Sequence, residues 1–359
     1  MDLDLGWVIG VDGDRYRIAR VDTGVVSDSA LSGPTHNLGA QPVEGDFVAI
    51  DPTTIPPEIA FVYGQTESHI SEEERLALAR AQFPTIIARH TPLVSSPVDP
   101  DARFMAWTGL AAEVWDPSGG DAPQYDLAYL NRVVRENAGP ALDVGCGTGR
   151  ILLPLLGDGL DVEGLEPSED MVAMCRDKAV ARGLDPVIHV QSMHQMDLPR
   201  RYATIMIPCG SFCLLVYRED ALQALDRLYE HLSPGGELIF NLFFELGPEG
   251  LQCEEVSGLW RAMWHHDLPT GGQVHQHIRA VKIDRVEQQY FGERRYRLVR
   301  EGQVVREEIL PSFERIYGKY EIAMMLERVG FVDVRVFDGW SDQAFAGKHS
   351  SMMLRARRA

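Results

Sequence analysis

The chain has 359 residues, 45% of them hydrophobic and 24% charged, and a formal net charge of −19. This is the composition of a globular protein with room for two domains. Its acidity argues against nucleic acid and anionic membrane surfaces, both of which bind clustered lysine and arginine.

No apolar run approaches the roughly 18 residues of a membrane span, and the opening MDLDLGWVIGV lacks the basic and apolar regions of a signal peptide. Cys146, Cys175, Cys209, Cys213 and Cys253 are scattered without a CxxC pair, and read as reduced thiols of a cytoplasmic protein.

Residues 1–65 read as a small all-β barrel: GWVIGV, YRIARV and DFVAI are β-rich, with VDGD and VEGD as turns. Residues 66–100 read as a helix and linker. Ser71 with Glu74 makes a capping box before EERLALARAQF, and TPLVSSPVDP is rich in proline and serine.

Residues 101–359 alternate helix and strand. A helix over 126–136 precedes strand 141–145, helix 150–156, strand 161–165 and helix 169–182. Strands 187–190 and 204–208, helix 221–232 and strand 237–242 follow. Apolar strands between helices predict a doubly wound parallel α/β sheet. Over 256–315 the pattern becomes rich in alternation, broken by PTGG and REGQ, which predicts an antiparallel insertion. Helix 319–329 and strands 332–337 and 352–357 complete seven strands. Arg294, Arg295, Arg297, Arg300 and Arg306 cluster in the insertion and read as a solvated face.

ALDVGCGTGR, residues 141–150, breaks an apolar strand into glycines at alternate positions. A dinucleotide fingerprint GxGxxG, counted from Gly145, needs glycine or alanine where Arg150 stands. Asp143 followed by Gly145, Gly147 and Gly149 instead resembles the D-x-G-x-G-x-G of class I, Rossmann-like S-adenosylmethionine-dependent methyltransferases. Further landmarks in order strengthen the resemblance: Glu166 of GLEPSEDM ending the next strand, QSMHQMD after the third, IPCGSF after the fourth, and LSPGGELIF entering the fifth.

The resemblance implies S-adenosyl-L-methionine as cofactor. Asp143, Gly145, Cys146, Gly147, Thr148 and Gly149 would hold its amino-acid end, Glu166 and Pro167 the ribose. Met171 would be the cofactor-site methionine on the helix after that acid, Met193 and His194 would bracket the adenine, and Pro208, Cys209 and Gly210 would lie beside the methyl donor. Ser192 and Ala203 stand where family members often carry acids. VEGDFVAID also resembles, faintly, the OB-fold barrel of ribosome-associated GTPases. No GxxxxGKS follows, and residues 1–100 hold fifteen acids against six lysines and arginines, so a docking role is expected rather than nucleic-acid binding.

The acceptor is expected to be a small molecule methylated at N or O, since small-molecule members of the family cover the site with an inserted meander. By position the acceptor residues would be Trp107, Trp115, Tyr125, Phe212, Trp260, Trp264, Arg315 and Tyr317. Aligning nucleophile and methyl group supplies much of the catalysis, so no triad is required. His265 and Tyr125 are the candidate bases. His265, His266, His275 and His277 flank one turn, and no metal is expected there. Transfer to protein or RNA recruited by residues 1–65, and a non-catalytic cofactor-binding role, stay open, as does a homodimer or docked protein on residues 1–65.

Overall fold

The computed structural model describes residues 107–120, 125–243, 261–347 and 351–359, with Tyr125 and Arg261 by backbone alone. Five N-terminal strands are also described by backbone alone. The chain divides into two compact units, one of residues 1–97 with 257–265 and 275–279, the other of the remainder.

In the first unit, strands β1 (Asp4–Asp12), β2 (Arg15–Arg20), β3 (Val26–Leu31), β4 (Phe47–Asp51) and β5 (Glu58–Tyr63) close a barrel in the order β1-β2-β3-β5-β4. β3 and β5 run parallel, and β2 with β1 and β3, and β4 with β1 and β5, run antiparallel. The predicted helix and linker at 66–100 lie outside the described residues.

The second unit opens with a short helix α1 (Gly109–Glu113) and α2 (Tyr125–Asn137). The alternating part follows as β6 (Ala141–Val144), α3 (Leu152–Gly157), β7 (Val162–Leu165), α4 (Glu169–Ala181), β8 (Ile188–His189), β9 (Tyr202–Ile207), α5 (Arg218–His231) and β10 (Leu232–Phe243). Strands β11 (Arg261–Asp267), β12 (Gln273–Asp284), β13 (Gln289–Arg300) and β14 (Gln303–Arg315) form a four-stranded sheet in chain order, and β13 and β14 pair antiparallel. Helix α6 (Lys319–Val329), β15 (Phe331–Asp338) and β16 (Ser351–Arg358) end the chain.

The expected doubly wound α/β sheet is present with seven strands, order β15-β16-β10-β9-β6-β7-β8. β6 pairs in parallel with β7 and β9, while β16 runs antiparallel to both of its neighbours. The strands are near-continuous apolar runs because helices cover both faces. Ile205, Ile207, Leu238 and Phe240 pack with Leu225 and Leu228 of α5 and Ile322 and Leu326 of α6. Their alternates Met206 and Ile239 pack on the other face with Leu130 and Val133 of α2 and Val172 and Cys175 of α4. From β6 the chain winds outward through β7 and β8 and then crosses back to β9 on the other side of β6, so the loops leaving the carboxyl ends of β6 and β9 part and leave a crevice where open α/β sheets hold ligands. Among the described residues no helix is long and apolar enough to cross a membrane.

Candidate active site

A cavity of about 300 Å³ opens at that crevice. Asp143, Gly145, Cys146, Gly147, Thr148, Glu166, Pro167, Met171, Met193, Pro208, Cys209 and Gly210 all line it. Their positions follow from the strand ends. β6 delivers Asp143, β7 delivers Glu166, and β9 delivers Pro208 and Cys209.

The glycine loop turns under β7, with the Gly145 and Cys146 amides donating to the Leu165 carbonyl at 2.7 and 3.1 Å. Gly145, Gly147 and Gly149 all adopt positive φ, which L side chains rarely do. They serve different ends. Gly145 and Gly147 face the cavity, and a Cβ at Gly147 would meet only Met171 Cε at 3.4 Å. Gly149 does not line it. A Cβ there would sit 2.7 Å from Cys175 Sγ of α4 and Leu153 Cγ of α3, so the third glycine permits helix packing. His194 also lies off the cavity, 3% exposed.

Asp143 is 1% exposed, and among the described residues neither carboxylate oxygen has a hydrogen-bond partner. Burial pushes its pKa up to about 7, against the pull of the Arg150 charge. Glu166 accepts from the Gly147 amide at 3.0 Å and the Ser168 amide at 2.9 Å. Burial raises its pKa while those two amides oppose the rise. Ser168 caps α4 by accepting from the Met171 amide at 3.3 Å, and donates to the Trp107 carbonyl.

Residues 107–120 run along the cavity as a strap. The Gly109 amide donates to Asp170 at 2.7 Å and the Leu110 amide to Glu308 of β14 at 2.8 Å. Thr148 donates to Asp116 at 2.7 Å, and Lys178 reaches both, 2.9 and 3.0 Å away.

The expected acceptor residues separate. Trp107 and Trp115 line the cavity and meet edge to face with centroids 5.4 Å apart. Phe212, Tyr317 and Arg315 do not line it. Phe212 and Tyr317 are fully buried core side chains whose rings meet tilted with centroids 5.2 Å apart, and the Tyr317 hydroxyl donates to the Leu215 carbonyl. Arg315, 5% exposed, binds Glu321 at 2.9 Å. Trp260 and the side chain of Tyr125 lie outside the described residues.

Trp264 and His265 belong to the first unit, where His265 stacks on His275 with centroids 5.4 Å apart. Among the described residues no group of three His, Cys, Asp or Glu side chains is arranged to hold a metal.

Arg294 and Glu314 also line the cavity, from β13 and β14. The expected solvated face is therefore divided. Arg294 lines the crevice, and Arg295, one residue on, is 6% exposed. Strict alternation along β13 carried this signal, since neighbouring arginines must face opposite ways.

Residues 141–236 match a family model described as a methyltransferase domain. Over 139 residues the chain is 34% identical to the dTDP-3-amino-3,6-dideoxy-alpha-D-glucopyranose N,N-dimethyltransferase of Streptomyces fradiae, covering 37% of this chain and 53% of that protein. Over 152 residues it is 28% identical to a ubiquinone biosynthesis O-methyltransferase of Aliivibrio fischeri, covering 40% and 63%. The chain thus spans little more than half the length of the first curated relatives it matches.

Among solved structures, an S-adenosylmethionine-dependent methyltransferase from Clostridium acetobutylicum superposes with a TM-score of 0.54 at 17% identity, over 68% of this chain and 96% of that one. The sugar N-methyltransferase KedS8 from Streptoalloteichus superposes at 0.53 and 21% identity, over 74% and 97%. Residues 141–236 thus carry the sequence signature of a methyltransferase domain, and the α/β unit shares the Rossmann-like fold of those solved methyltransferases.

Proposed function

We propose that the protein transfers a methyl group from S-adenosylmethionine to an N or O atom of a small molecule. The observation that carries the reading is Asp143. A buried carboxylate with two unpartnered oxygens costs stability unless a ligand supplies donors, and an ammonium group does so. The glycines beside it leave room for a ligand to approach the backbone, and Glu166 keeps further lone pairs for paired hydroxyls.

Bound S-adenosylmethionine supplies an electrophilic methyl group on a sulfonium. The chain's part is to hold donor and acceptor in line and to exclude water. Asp143, Gly145 and Gly147 would fix one end of the donor and Glu166 the ribose. Met171 and Met193 would give the base a soft apolar bed. Trp107 and Trp115, with the strap that carries them, would cover the acceptor. Relatives that methylate an amino sugar or a biosynthetic O-acceptor support the small-molecule class. Cytoplasmic location goes with this reading, as does a docking role for residues 1–65.

The test is incubation with label-bearing methyl donor and separated metabolite, RNA and protein fractions. Label is expected in the metabolite fraction. Label confined to RNA or protein overturns the acceptor class, and tight donor binding without any transfer overturns the enzyme.

A further inference from the structure

Among the described residues five charged side chains line the cavity: Asp143, Arg150, Glu166, Arg294 and Glu314. The two cations are committed to very different degrees. Arg150 gives Nη1 and Nη2 to Asp126 at 2.7 Å each, and Nη2 also approaches Cys209 Sγ at 2.9 Å. Its charge is matched inside the wall.

Arg294 is held from one side only. Its Nε donates to Ser312 Oγ at 3.0 Å, and its Nη2 reaches Glu314 Oε1 at 3.4 Å, the outer limit of a hydrogen bond. Both partners sit on β14, so the neighbouring strand fixes the Nε–Nη2 side of the guanidinium. Nη1 has no hydrogen-bond partner among the described residues. The guanidinium carbon lies 5.9 Å from the Trp107 ring, and the side chain keeps 21% exposure.

A structural arginine in the same unit looks different. Arg355 places Nε and Nη2 on Glu237 at 2.7 Å each and Nη1 on the Tyr129 hydroxyl at 3.1 Å, committing all three nitrogens.

Resting on the proposed methyl transfer, we propose that Arg294 binds an anionic group of the methyl acceptor, a carboxylate or a phosphate, through its Nη1–Nη2 edge. A guanidinium edge matches both groups with two parallel hydrogen bonds, which an ammonium does not. The chain's net charge of −19 gives an anionic acceptor no long-range attraction, so a local, oriented cation is the means of recognition. Trp107 and Trp115 offer the apolar remainder of the acceptor a wall beside that charge. Ser312 sets the tilt of the guanidinium and acts as a positioning residue.

The experiment is calorimetric titration of the protein saturated with S-adenosylhomocysteine, using acetate, inorganic phosphate and pyrophosphate as probes. At least one anion is expected to bind. Arg294→Gln should weaken it at least tenfold, with S-adenosylhomocysteine affinity changed less than twofold. Arg294→Lys should fall between, and Ser312→Ala, which keeps the charge but frees the guanidinium, should lose severalfold.

Tighter binding of acetate assigns a carboxylate, and tighter binding of phosphate or pyrophosphate a phosphate group. Failure of every anion to bind, or equal binding by Arg294→Gln, overturns the proposal. If S-adenosylhomocysteine itself does not bind the wild type, the donor reading fails, and the same titration of the ligand-free protein still decides the role of Arg294.

Discussion

Arg150 and Asp126 form a two-armed ion pair, 2.7 Å at each arm, with side chains 8% and 1% exposed. The pair ties α2 to the turn after β6, and through Cys209 to the loop after β9. Desolvation offsets most of what such a pair gains, but removing one partner strands a buried charge. Asp126→Leu should therefore destabilise the protein by about 3–5 kcal/mol in urea unfolding. The double variant Asp126→Leu with Arg150→Met should recover most of the loss. A single variant as stable as wild type would show the pair open in solution.

Asp143 makes stability depend on pH in an unusual direction. An unfolded aspartate holds its proton only below roughly pH 4, whereas the native one, facing Arg150, Asp126 and Glu166, holds it to about 7. Between those values the native state carries the extra proton, so stability falls as pH rises through the window and is level above it. Asp143→Asn removes the effect. Its melting temperature should gain on wild type more at about pH 8 than at about pH 5, and parallel curves would contradict the shift.

The same group predicts a proton signature of binding. An ammonium docked on Asp143 lowers its pKa and expels the proton it holds below about 7. Titration of S-adenosylhomocysteine near pH 6.5, in buffers of different ionisation enthalpy, should show release of a large fraction of one proton, roughly three-quarters for a pKa near 7. Asp143→Asn should release almost none. Identical release by both proteins would remove Asp143 from the ligand's amino end.

Two glycines of one loop should fail in opposite ways. Gly149→Ala places a methyl group 2.7 Å from Cys175 Sγ and Leu153 Cγ at φ +88°. Overpacking of about 1–3 kcal/mol and left-handed backbone strain of about 1–2 kcal/mol both apply, so stability should drop clearly. Gly147→Ala bears the backbone strain alone, its nearest contact being Met171 Cε at 3.4 Å. That variant should fold nearly as well yet bind S-adenosylhomocysteine much more weakly. Thermal melts and calorimetry on the two proteins separate the roles.

Glu166→Gln keeps one acceptor oxygen and loses the charge. Two charge-assisted hydrogen bonds to ribose hydroxyls are worth about 1.5–3 kcal/mol each, and part of that survives with the amide. A fall in S-adenosylhomocysteine affinity of roughly 10- to 100-fold follows, at about 1.4 kcal/mol per decade. An unchanged affinity would mean that the carboxylate serves only the Gly147 and Ser168 amides it already holds.

The glycine-loop wall of the cavity was legible in the sequence because its signals are local. Asp143, Gly145 and Gly147 lie within five residues, and strand period and turn chemistry place them without knowledge of the rest of the fold. The acceptor side depends on distant pairs. Arg294 is defined by Ser312 and Glu314, some twenty residues away on the next strand, and in one dimension it is one of a run of arginines. Aromatic identity did not separate Trp107, at the cavity, from Phe212 and Tyr317, in the core, since both environments favour large rings. Gly149 fitted the motif by spacing while its constraint comes from α3 and α4.

That last distinction bears on how relatives of this chain are read. A descendant that ceased to bind the cofactor would be released from needing bare backbone at residue 147, where a Cβ meets nothing closer than Met171 Cε at 3.4 Å and only the left-handed φ still favours glycine, whereas Ser211 Oγ at 2.9 Å would still close on residue 145. It would remain bound to glycine at 149, because Leu153 and Cys175 would still close on that position. Persistence of the third glycine in a homologue therefore speaks to an intact fold, and the second is the one to inspect for a living site.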